Sequence, residues 1–382
     1  MHSTSNRRAA WSLGLMAVAL AACSDDTPTQ PKANLPAAGP TKPSAVVHII
    51  PEGTTFSTKI AYATGFPFGK EAMVKLYDKD GKQITWFLAF GAYEDFSAGV
   101  NVAIGDVNGD GWPDIIAGEG PTAWSSAVTS KVSVWDGQTG TRLQTWTPFG
   151  SFKGGVRVGA ADVDGDGKAE ILACTGAGTG GNRALALRLG STAPVYGSEI
   201  NLYTNNLPRV GGCHVAGGDL NGDGRAEIVA HFDGKDDALV TTDVKTFATT
   251  IAFRPLGWDY SVQADVAVAD VNGDKHDDIL LSFLRDSAVV RVFDGSKVKP
   301  NTPLTQLSEV KPMWDTSGGG IDIATHDLNG DGKLDLLYKQ TNPTHLSFWK
   351  YSWVFAKAGT AFYQMLFYYE EPGSIAPGGT IG

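Results

Sequence analysis

The feature that most constrains this chain is a short acidic motif that occurs five times. The motif reads D-x-[DN]-G-D-[GK]-x-x-[DE], and it recurs every 51 to 57 residues, with first aspartates at Asp106, Asp162, Asp219, Asp270 and Asp327. A fixed period of this length indicates an array or a propeller in which each repeat forms one supersecondary unit. The repeats therefore predict a repeat architecture for the body of the chain.

Each repeat contains the sequence patterns of four short strands. A short alternating stretch precedes the motif, as at Val100–Ile104, and an apolar stretch follows it, as at Ile115–Ile116. A second pair of strands with Asp and Gly in the turn comes later, as at Val132–Gly137. The 47 glycines and the 19% of charged residues also favour tight turns over long charged helices. Four strands per repeat predict an all-β fold, a β-propeller of four-stranded blades.

The repeats also define the expected extent of the propeller. We expect it to cover residues 46–371, with five blades that carry the motif and an earlier one that does not. This first blade would consist of two strands within residues 45–50 and 59–64 and the hairpin Val74–Phe90. At about 55 residues per repeat the length gives six blades. Seven blades would require one blade built from both ends of the chain, and we expect a flexible tail at residues 372–382.

The N-terminal residues have the pattern of an export signal. Arg7 and Arg8 precede the apolar run Ala9–Leu20, which is too short to cross the hydrocarbon core as a helix. The stretch Leu20–Cys23 resembles the lipobox of bacterial lipoproteins, which implies cleavage before Cys23 and lipidation of that residue. We expect a signal peptide at residues 1–22 and a lipidated, flexible tether rich in Pro, Thr and Ala at residues 23–45. An ordinary signal peptide with an incidental cysteine is the alternative.

The acidic motif places oxygen ligands at its first, third, fifth and ninth positions, and the seventh would contribute its backbone carbonyl. Hard oxygen ligands on a tight loop that contains glycine are typical of calcium sites. We expect about five structural calcium ions, each fixing the hairpin between the first and second strands of its blade. The predicted ligand residues are Asp106, Asn108, Asp110, Trp112 and Asp114; Asp162, Asp164, Asp166, Lys168 and Glu170; Asp219, Asn221, Asp223, Arg225 and Glu227; Asp270, Asn272, Asp274, His276 and Asp278; and Asp327, Asn329, Asp331, Lys333 and Asp335.

An EF-hand is the obvious rival for such a loop. It requires a bidentate glutamate at position twelve between two helices. That position holds Ala117, Ala173, Ala230, Leu281 and Tyr338. The EF-hand interpretation therefore fails in all five copies.

With these motifs in place, the chain resembles the FG-GAP repeats of integrin-type β-propellers and the related VCBS-type repeats of bacterial surface proteins. Phe96–Val100 and Phe152–Val156 match the FG element, and Gly118–Pro121 matches the GAP element. The resemblance covers residues 46–371 and implies a propeller with calcium in its loops. The chain departs from the pattern in its first blade, which has no acidic loop, and at Lys275, which replaces the loop glycine of the fourth copy and works against calcium binding there.

Neither the charge nor the motifs of the sequence indicate an enzymatic reaction. The net charge of −10 disfavours a nucleic-acid partner, and much of this acidity lies in the five loops. The sequence contains no G-x-S-x-G, H-E-x-x-H or P-loop motif. His214 and His326 lie in strands that enter acidic loops, where we expect packed or hydrogen-bonded roles. Cys174 and Cys213 lie in apolar strand contexts and could form a disulfide or stay as buried thiols.

Aromatic residues beside carboxylates mark the connectors on the opposite face of the predicted propeller. They could bind a sugar or a protein partner, or they could cover the junctions between blades. These candidate ligand-face residues are Tyr93, Trp124, Trp258, Tyr260 and Trp314.

We therefore expect a monomeric, calcium-stabilised propeller, anchored by its lipid at the outer membrane or cell surface of a bacterium. Its expected role is a non-catalytic binding or adhesion module for a protein or glycan. The alternatives are a propeller-scaffold enzyme acting on polysaccharide, as a lyase or hydrolase, and a structural subunit of an envelope complex.

Overall fold

The structure is a computed structural model, and it describes the central part of the chain with gaps. Contacts divide the chain between Ser44 and Ala45, and every described residue lies in the second unit. The described residues are 55–60, 62–65, 72–79, 82–90, 99–121, 129–178, 182–195, 200–201, 211–234, 238–246, 248–253, 255, 263–284, 289–299, 302–310, 320–326, 334–341, 349–356 and 364–372.

The described strands form six antiparallel sheets, in which each strand pairs with the next one along the chain. The first three sheets contain β1 (Tyr62–Gly65), β2 (Met73–Tyr77) and β3 (Gln83–Leu88); β4 (Val100–Gly105), β5 (Asp114–Glu119), β6 (Val132–Trp135) and β7 (Arg142–Trp146); and β8 (Val156–Ala161), β9 (Glu170–Thr175), β10 (Arg183–Leu187) and β11 (Ile200–Asn201).

The last three sheets are each four-stranded. They contain β12 (Cys213–Gly218), β13 (Glu227–Phe232), β14 (Ala238–Thr242) and β15 (Thr249–Phe253); β16 (Ala264–Ala269), β17 (Asp278–Phe283), β18 (Val290–Phe293) and β19 (Gln306–Val310); and β20 (Gly320–His326), β21 (Asp335–Thr341), β22 (Trp349–Ala356) and β23 (Gln364–Pro372). A short 3-10 turn at Gly295–Lys297 follows β18.

The sheets pack side by side in chain order, as the blades of a propeller do. The first strands contact one another in sequence, from β4 to β8, β12, β16 and β20. The second strand of each sheet also contacts the first strand of the next, as β9 contacts β12 and β13 contacts β16. The predicted all-β propeller of four-stranded blades is therefore confirmed.

The second strands form the core between neighbouring blades. β5, β9, β13 and β17 are buried along their whole length, because each is covered on both faces by adjacent sheets. One apolar cluster, for example, joins Leu172 of the third sheet to Val215 and Ile228 of the fourth. The apolar stretches that follow each acidic motif are the sequence signal for these strands.

The first sheet has three described strands. A Cβ added at Gly65 on β1 would meet the carbonyl of Val100 on β4, as one added at Gly118 on β5 would meet the carbonyl of Val156 on β8, so β1 takes the place of the second strand of its blade. It lies at Tyr62–Gly65, close to the strand expected within residues 59–64. The first strand expected within residues 45–50 lies outside the described residues, and the count of six blades stays a prediction.

A disulfide bond joins Cys174 on β9 to Cys213 on β12, across the junction of the third and fourth blades. Their Cα atoms are 5.8 Å apart, within the range that a disulfide spans, and both residues are fully buried. The question that the sequence left open is thus answered in favour of the bridge. Among the described residues, no helix has the length and apolar character needed to cross a membrane.

Candidate functional site

The acidic motifs form the hairpin loops between the first and second strands of the blades. In the first loop, Asp106 shapes the turn by accepting backbone N–H groups from Gly109 (2.7 Å), Asp110 (3.1 Å) and Gly111 (2.7 Å). Gly109 and Gly111 have φ angles of 80° and 83°, which glycine adopts at little cost. The same pattern recurs around Asp162 and Asp219. The alternation of acid and glycine therefore encodes one specific loop.

The ninth residue of each described motif is a buried carboxylate at the base of the loop. Asp114, for example, accepts N–H groups from Val107 (3.0 Å) and Gly137 (2.8 Å). Burial raises the pKa of Asp114 to about 6 and the pKa of both Glu170 and Glu227 to about 7, and neighbouring carboxylates add to the rise although backbone hydrogen bonds oppose it. A cation above these groups would offset both burial and repulsion.

The donor set of these loops fits a hard cation. In the third blade, carboxylate oxygens of Asp162, Asp164 and Asp166 lie within 4.8 Å of one another. The motif offers carboxylate and amide oxygens on alternate residues, with the buried ninth carboxylate below, and calcium takes six to eight such ligands. Positions one, three, five and nine would therefore hold the ion and supply its counter-charge.

The fifth and seventh positions are linked by the backbone. The N–H of the seventh residue donates to the carboxylate of the fifth in all four described loops, at 2.8 to 3.0 Å. The side chains at the seventh position of the motif have another role. A Cβ added at Gly109 would lie 2.8 Å from Lys168 Cε, and one at Gly165 would lie 2.9 Å from Arg225 Cγ, so each seventh side chain covers the glycine of the preceding loop.

Backbone hydrogen bonds also connect successive loops. The N–H of the eighth residue in one loop donates to the carbonyl of the first aspartate in the loop before it. The three described links join Ala169 to Asp106, Ala226 to Asp162 and Asp277 to Asp219, each at 2.8 Å. An ion that fixes one loop would therefore also brace the neighbouring blade.

The loop of the fifth blade keeps this geometry although Lys275 replaces glycine. Lys275 has a φ of 72°, a left-handed conformation that costs free energy for a residue with a Cβ. Its N–H donates to Asp270 at 3.0 Å, as the glycine N–H does in the other loops. The loop therefore keeps its turn, and Lys275 adopts the strained backbone conformation that the turn requires.

The loop of the third blade differs in its surroundings. After the third strand, the second, fourth and fifth blades have an aspartate, at Asp136, Asp243 and Asp294, but the third blade has Arg188. Arg188 forms ion pairs with Asp164 and, at 3.3 Å, with Glu170. The third blade is also the one with aspartate at position three of its loop, where the others have asparagine. One guanidinium thus already neutralises part of this donor set.

Several predicted site residues lie outside the described residues. They are Asp327, Asn329, Asp331 and Lys333 of the last loop, the ligand-face residues Tyr93, Trp124, Trp258, Tyr260 and Trp314, and the lipidation site Cys23. The strand that contains Asp335, the ninth residue of the last motif, begins where the pattern predicts it.

The sequence patterns missed a second polar group, which lines a central cavity. His214 on β12 and Asp265 on β16 approach to 2.9 Å between Nδ1 and Oδ1, and both line a cavity of about 120 Å³ formed between the first strands. Arg157 and Asp322 lie in the same wall. His214 was expected to be packed or hydrogen-bonded, and it is; its acidic partner on the next blade had no local sequence signal.

Comparison with known proteins gives one family and one curated relative. The model of the FG-GAP-like repeat matches residues 106–173 and 270–338. Cartilage acidic protein 1 of Xenopus tropicalis is 25% identical over 266 residues, which are 65% of this chain and 41% of that protein. The chain thus spans less than half the length of this relative.

Solved structures show more distant similarity. AofleA of Arthrobotrys oligospora has a TM-score of 0.47 and 10% identity, and the alignment covers 86% of this chain and 91% of that one. An Agrocybe aegerita lectin that recognises terminal N-acetylglucosamine has a TM-score of 0.40 and 18% identity, covering 75% and 72%. The rhamnogalacturonan lyase YesW has a TM-score of 0.30 and 13% identity, covering 76% and 60%. The repeats themselves are the firmer finding: this chain carries FG-GAP-like repeats, as its motifs predict.

Proposed function

We propose that the protein is a calcium-stabilised, non-catalytic binding or adhesion module that is exported and held at the bacterial envelope by a lipid on Cys23. Its ligand would be a protein or a glycan. In this proposal the loops are structural, and recognition occurs elsewhere on the propeller.

The observation that carries the proposal is the repeated pairing of a buried ninth carboxylate with an oxygen-rich loop. Asp114, Glu170 and Glu227 all have a raised pKa because burial disfavours their charged form. A divalent cation would stabilise that charge and fix the hairpin. The hydrogen bonds between successive loops would then spread the effect from blade to blade.

The calcium part is tested by melting the protein with calcium and with chelator. If calcium at about 1 mM exceeds each Kd about 1,000-fold, each site adds about 4 kcal/mol. Several sites should then raise the Tm by at least about 10 °C. Asp114→Asn should lower the number of bound calcium ions by one, whereas Asp78→Asn, in the blade without a motif, should not. Equal melting in calcium, magnesium and chelator would contradict the proposal.

Export and anchoring rest on the N-terminal pattern and agree with the disulfide, because such bonds persist in oxidising compartments. Replacing Cys23 with serine should release the protein from the membrane fraction of bacteria that express the full chain. A variant that stays with the membrane would exclude a lipid on this residue.

Recognition is tested with arrays of glycans and of envelope proteins, each probed with calcium and with chelator. We expect binding to depend on calcium indirectly, in parallel with folding. Binding that persists in fully unfolded, calcium-free protein would show that the captured ligand is nonspecific.

An enzyme acting on polysaccharide is the second candidate, and the buried pair of His214 and Asp265 in the central cavity favours it. A histidine oriented by a carboxylate is a common arrangement for general acid–base chemistry. Incubation with a panel of polysaccharides, followed by measurement of new reducing ends and unsaturated products, tests it. Products formed by the wild type and not by His214→Gln would establish the enzyme in place of the binding module.

A further inference from the structure

The first strands of five blades carry a polar residue at the same register position. These residues, which we call the polar ring, are Asn101, Arg157, His214, Asp265 and Asp322. Each lies five residues before the first aspartate of its acidic motif, and each pairs with the equivalent place on its second strand. Equivalent positions in a propeller lie at one level around its axis. The polar ring is therefore a property of the assembled blades.

Four of the five residues of the polar ring line the central cavity. Arg157, His214, Asp265 and Asp322 all line this space of about 120 Å³, much more than the roughly 15 Å³ that a single water molecule needs. Asn101 reaches toward the third blade, where its Nδ2 donates to the carbonyl of Val156 at 2.8 Å. The cavity thus has room for a small ligand, and its wall combines these polar side chains with apolar ones such as Val158 and Val266.

Arg157 and His214 contact carboxylates of the protein, and Asp322 hydrogen-bonds to Asp265. Arg157 Nη1 lies 3.3 Å from Asp233 Oδ2, and His214 Nδ1 lies 2.9 Å from Asp265 Oδ1. His214 Nε2 also lies 3.6 Å from Asp233 Oδ2. Burial would raise the pKa of Asp233, but the charges of His214 and Arg157 and a hydrogen bond from His231 outweigh it and lower the pKa. Asp233 is thus held ionised beside Arg157.

Asp265 is likewise held ionised, and its oxygens are occupied. Burial acts to raise its pKa, but the hydrogen bonds from His214, Asp322 and the Ile323 N–H lower it. Oδ2 accepts the Ile323 N–H at 2.8 Å, and Oδ1 accepts the Val266 N–H at 3.0 Å in addition to His214. Asp265 therefore orients the ring and has little capacity left for a ligand.

Arg157 keeps hydrogen-bonding capacity for a ligand. It uses Nη1 for Asp233 and for the carbonyl of Cys213 (2.9 Å), and its Nε and Nη2 have no hydrogen-bond partner among the described residues. His214 Nε2 is buried and lies 3.6 Å from Asp233 Oδ2, so it is not offered to the cavity. The guanidinium edge of Arg157 is therefore the donor that the ring keeps for a ligand.

Asp233 stands where the two preceding blades have glycine and the following blade has Leu284. The N–H of Asp233 donates to the carbonyl of Gly212, just as Gly120 donates to Gly99 and Gly176 to Gly155 in the two preceding blades. An aspartate in place of glycine, fully buried and facing Arg157, is costly unless the charge has a use. Here it holds the guanidinium in one orientation at the cavity wall.

We propose that the polar ring binds a small, neutral, polyhydroxylated ligand of about the size of one sugar ring. A charged ligand would have to disrupt a buried ion pair, which is strongly unfavourable. Hydroxyl groups can accept hydrogen bonds from Arg157 and donate to the carboxylate of Asp322 without adding charge. This inference deepens the proposed function, since it names the ligand class and the place of binding, and it rests on the protein being a binding module.

The test measures binding of single sugars to calcium-saturated protein by saturation-transfer NMR and calorimetry. The probes are glucose, galactose, mannose, N-acetylglucosamine and inositol as neutral ligands, with galacturonate and glucosamine as charged ones. We expect at least one neutral probe to bind and the charged probes to bind at least tenfold more weakly. Preference for a charged probe, or binding of none, overturns the proposal.

Variants locate the site. Arg157→Lys keeps the charge beside Asp233 but removes the planar edge that carries Nε and Nη2, so affinity should fall about tenfold or more. Arg291→Gln is the control, because Arg291 pairs with Glu309 at 3.2 Å on strands away from the cavity, and it should bind like the wild type. Equal affinity of Arg157→Lys and the wild type would place the ligand elsewhere.

Two further measurements separate this inference from the function on which it rests. If Arg157→Lys does not fold, Asp322→Asn changes another group of the cavity wall with little change of shape, with a smaller expected loss of about threefold. The melting comparison in calcium and chelator is independent of any sugar. If calcium stabilises the protein but no neutral sugar binds, the proposal for the polar ring is refuted and the structural role of the loops stands.

Discussion

Reduction of the bridge between Cys174 and Cys213 should destabilise the propeller by an amount that can be calculated. The two cysteines are 39 residues apart, and they close a loop that contains the outer half of the third blade. Closing a loop of this length removes unfolded-state entropy worth about 4 kcal/mol at 25 °C. Because the bridge also ties β9 to the strand that carries His214, its loss should loosen the junction of the third and fourth blades first.

The assay is urea unfolding of calcium-saturated protein, followed by tryptophan fluorescence, with and without reductant. We expect the free energy of unfolding to fall by about 4 kcal/mol on reduction. The variant Cys174→Ala should be insensitive to reductant and should resemble the reduced wild type. A change below about 1 kcal/mol in the wild type would refute the loop-entropy reasoning, and two titratable thiols in unreduced, unfolded protein would refute the bridge itself.

Three further predictions concern the acidic loops. Arg188→Asp, which gives the third blade the residue type of its neighbours, should tighten calcium binding at Asp164, and calorimetry showing unchanged affinity would exclude competition by the guanidinium. Lys275→Gly should stabilise the protein by about 1 kcal/mol in thermal melting, because glycine adopts the positive φ without strain. In chelator, the protein should lose stability as the pH rises toward and through about 7, because the raised pKa of Glu170 and Glu227 makes the folded state bind protons that the unfolded state releases nearer 4.5. Melting in chelator that is flat between pH 5 and 8 would contradict this.

Much of the fold was predictable because its signals are local. The alternating stretch before the motif, the acidic turn and the apolar stretch after it specify a hairpin whose second strand is buried on both faces. Ile115–Ile116 and the corresponding pairs in other repeats fall in these buried strands. The first blade was harder to delimit, since Tyr62–Gly65 has no motif before it to mark where the strand starts.

The site was predictable only to the extent that one loop forms it. Asp106 and Asp114 could be chosen from spacing, because a single turn brings them together. Two other contacts could not be predicted, since they depend on how neighbouring blades or distant strands meet. They are the coverage of Gly109 by Lys168 and the contact of Arg188 with Asp164. The residue type at the seventh position varies, and the side chains there pack over the preceding loop. From the sequence we expect only a backbone carbonyl for calcium at this position, which does not reveal that role.

The polar ring could not be predicted from the sequence, and the reason is the opposite one. Repeats are recognised from what their copies share, and the ring position holds a different residue in nearly every blade: asparagine, arginine, histidine and two aspartates. A role that is the same in each blade, such as fixing a hairpin, can be filled by one motif that occurs five times. A central ligand contacts every blade from a different side, so it requires a different group from each. Variation at one register position within otherwise regular repeats is therefore what a binding site on the propeller axis should produce. Asp233, which stands where two other blades have glycine and contacts Arg157, follows the same logic.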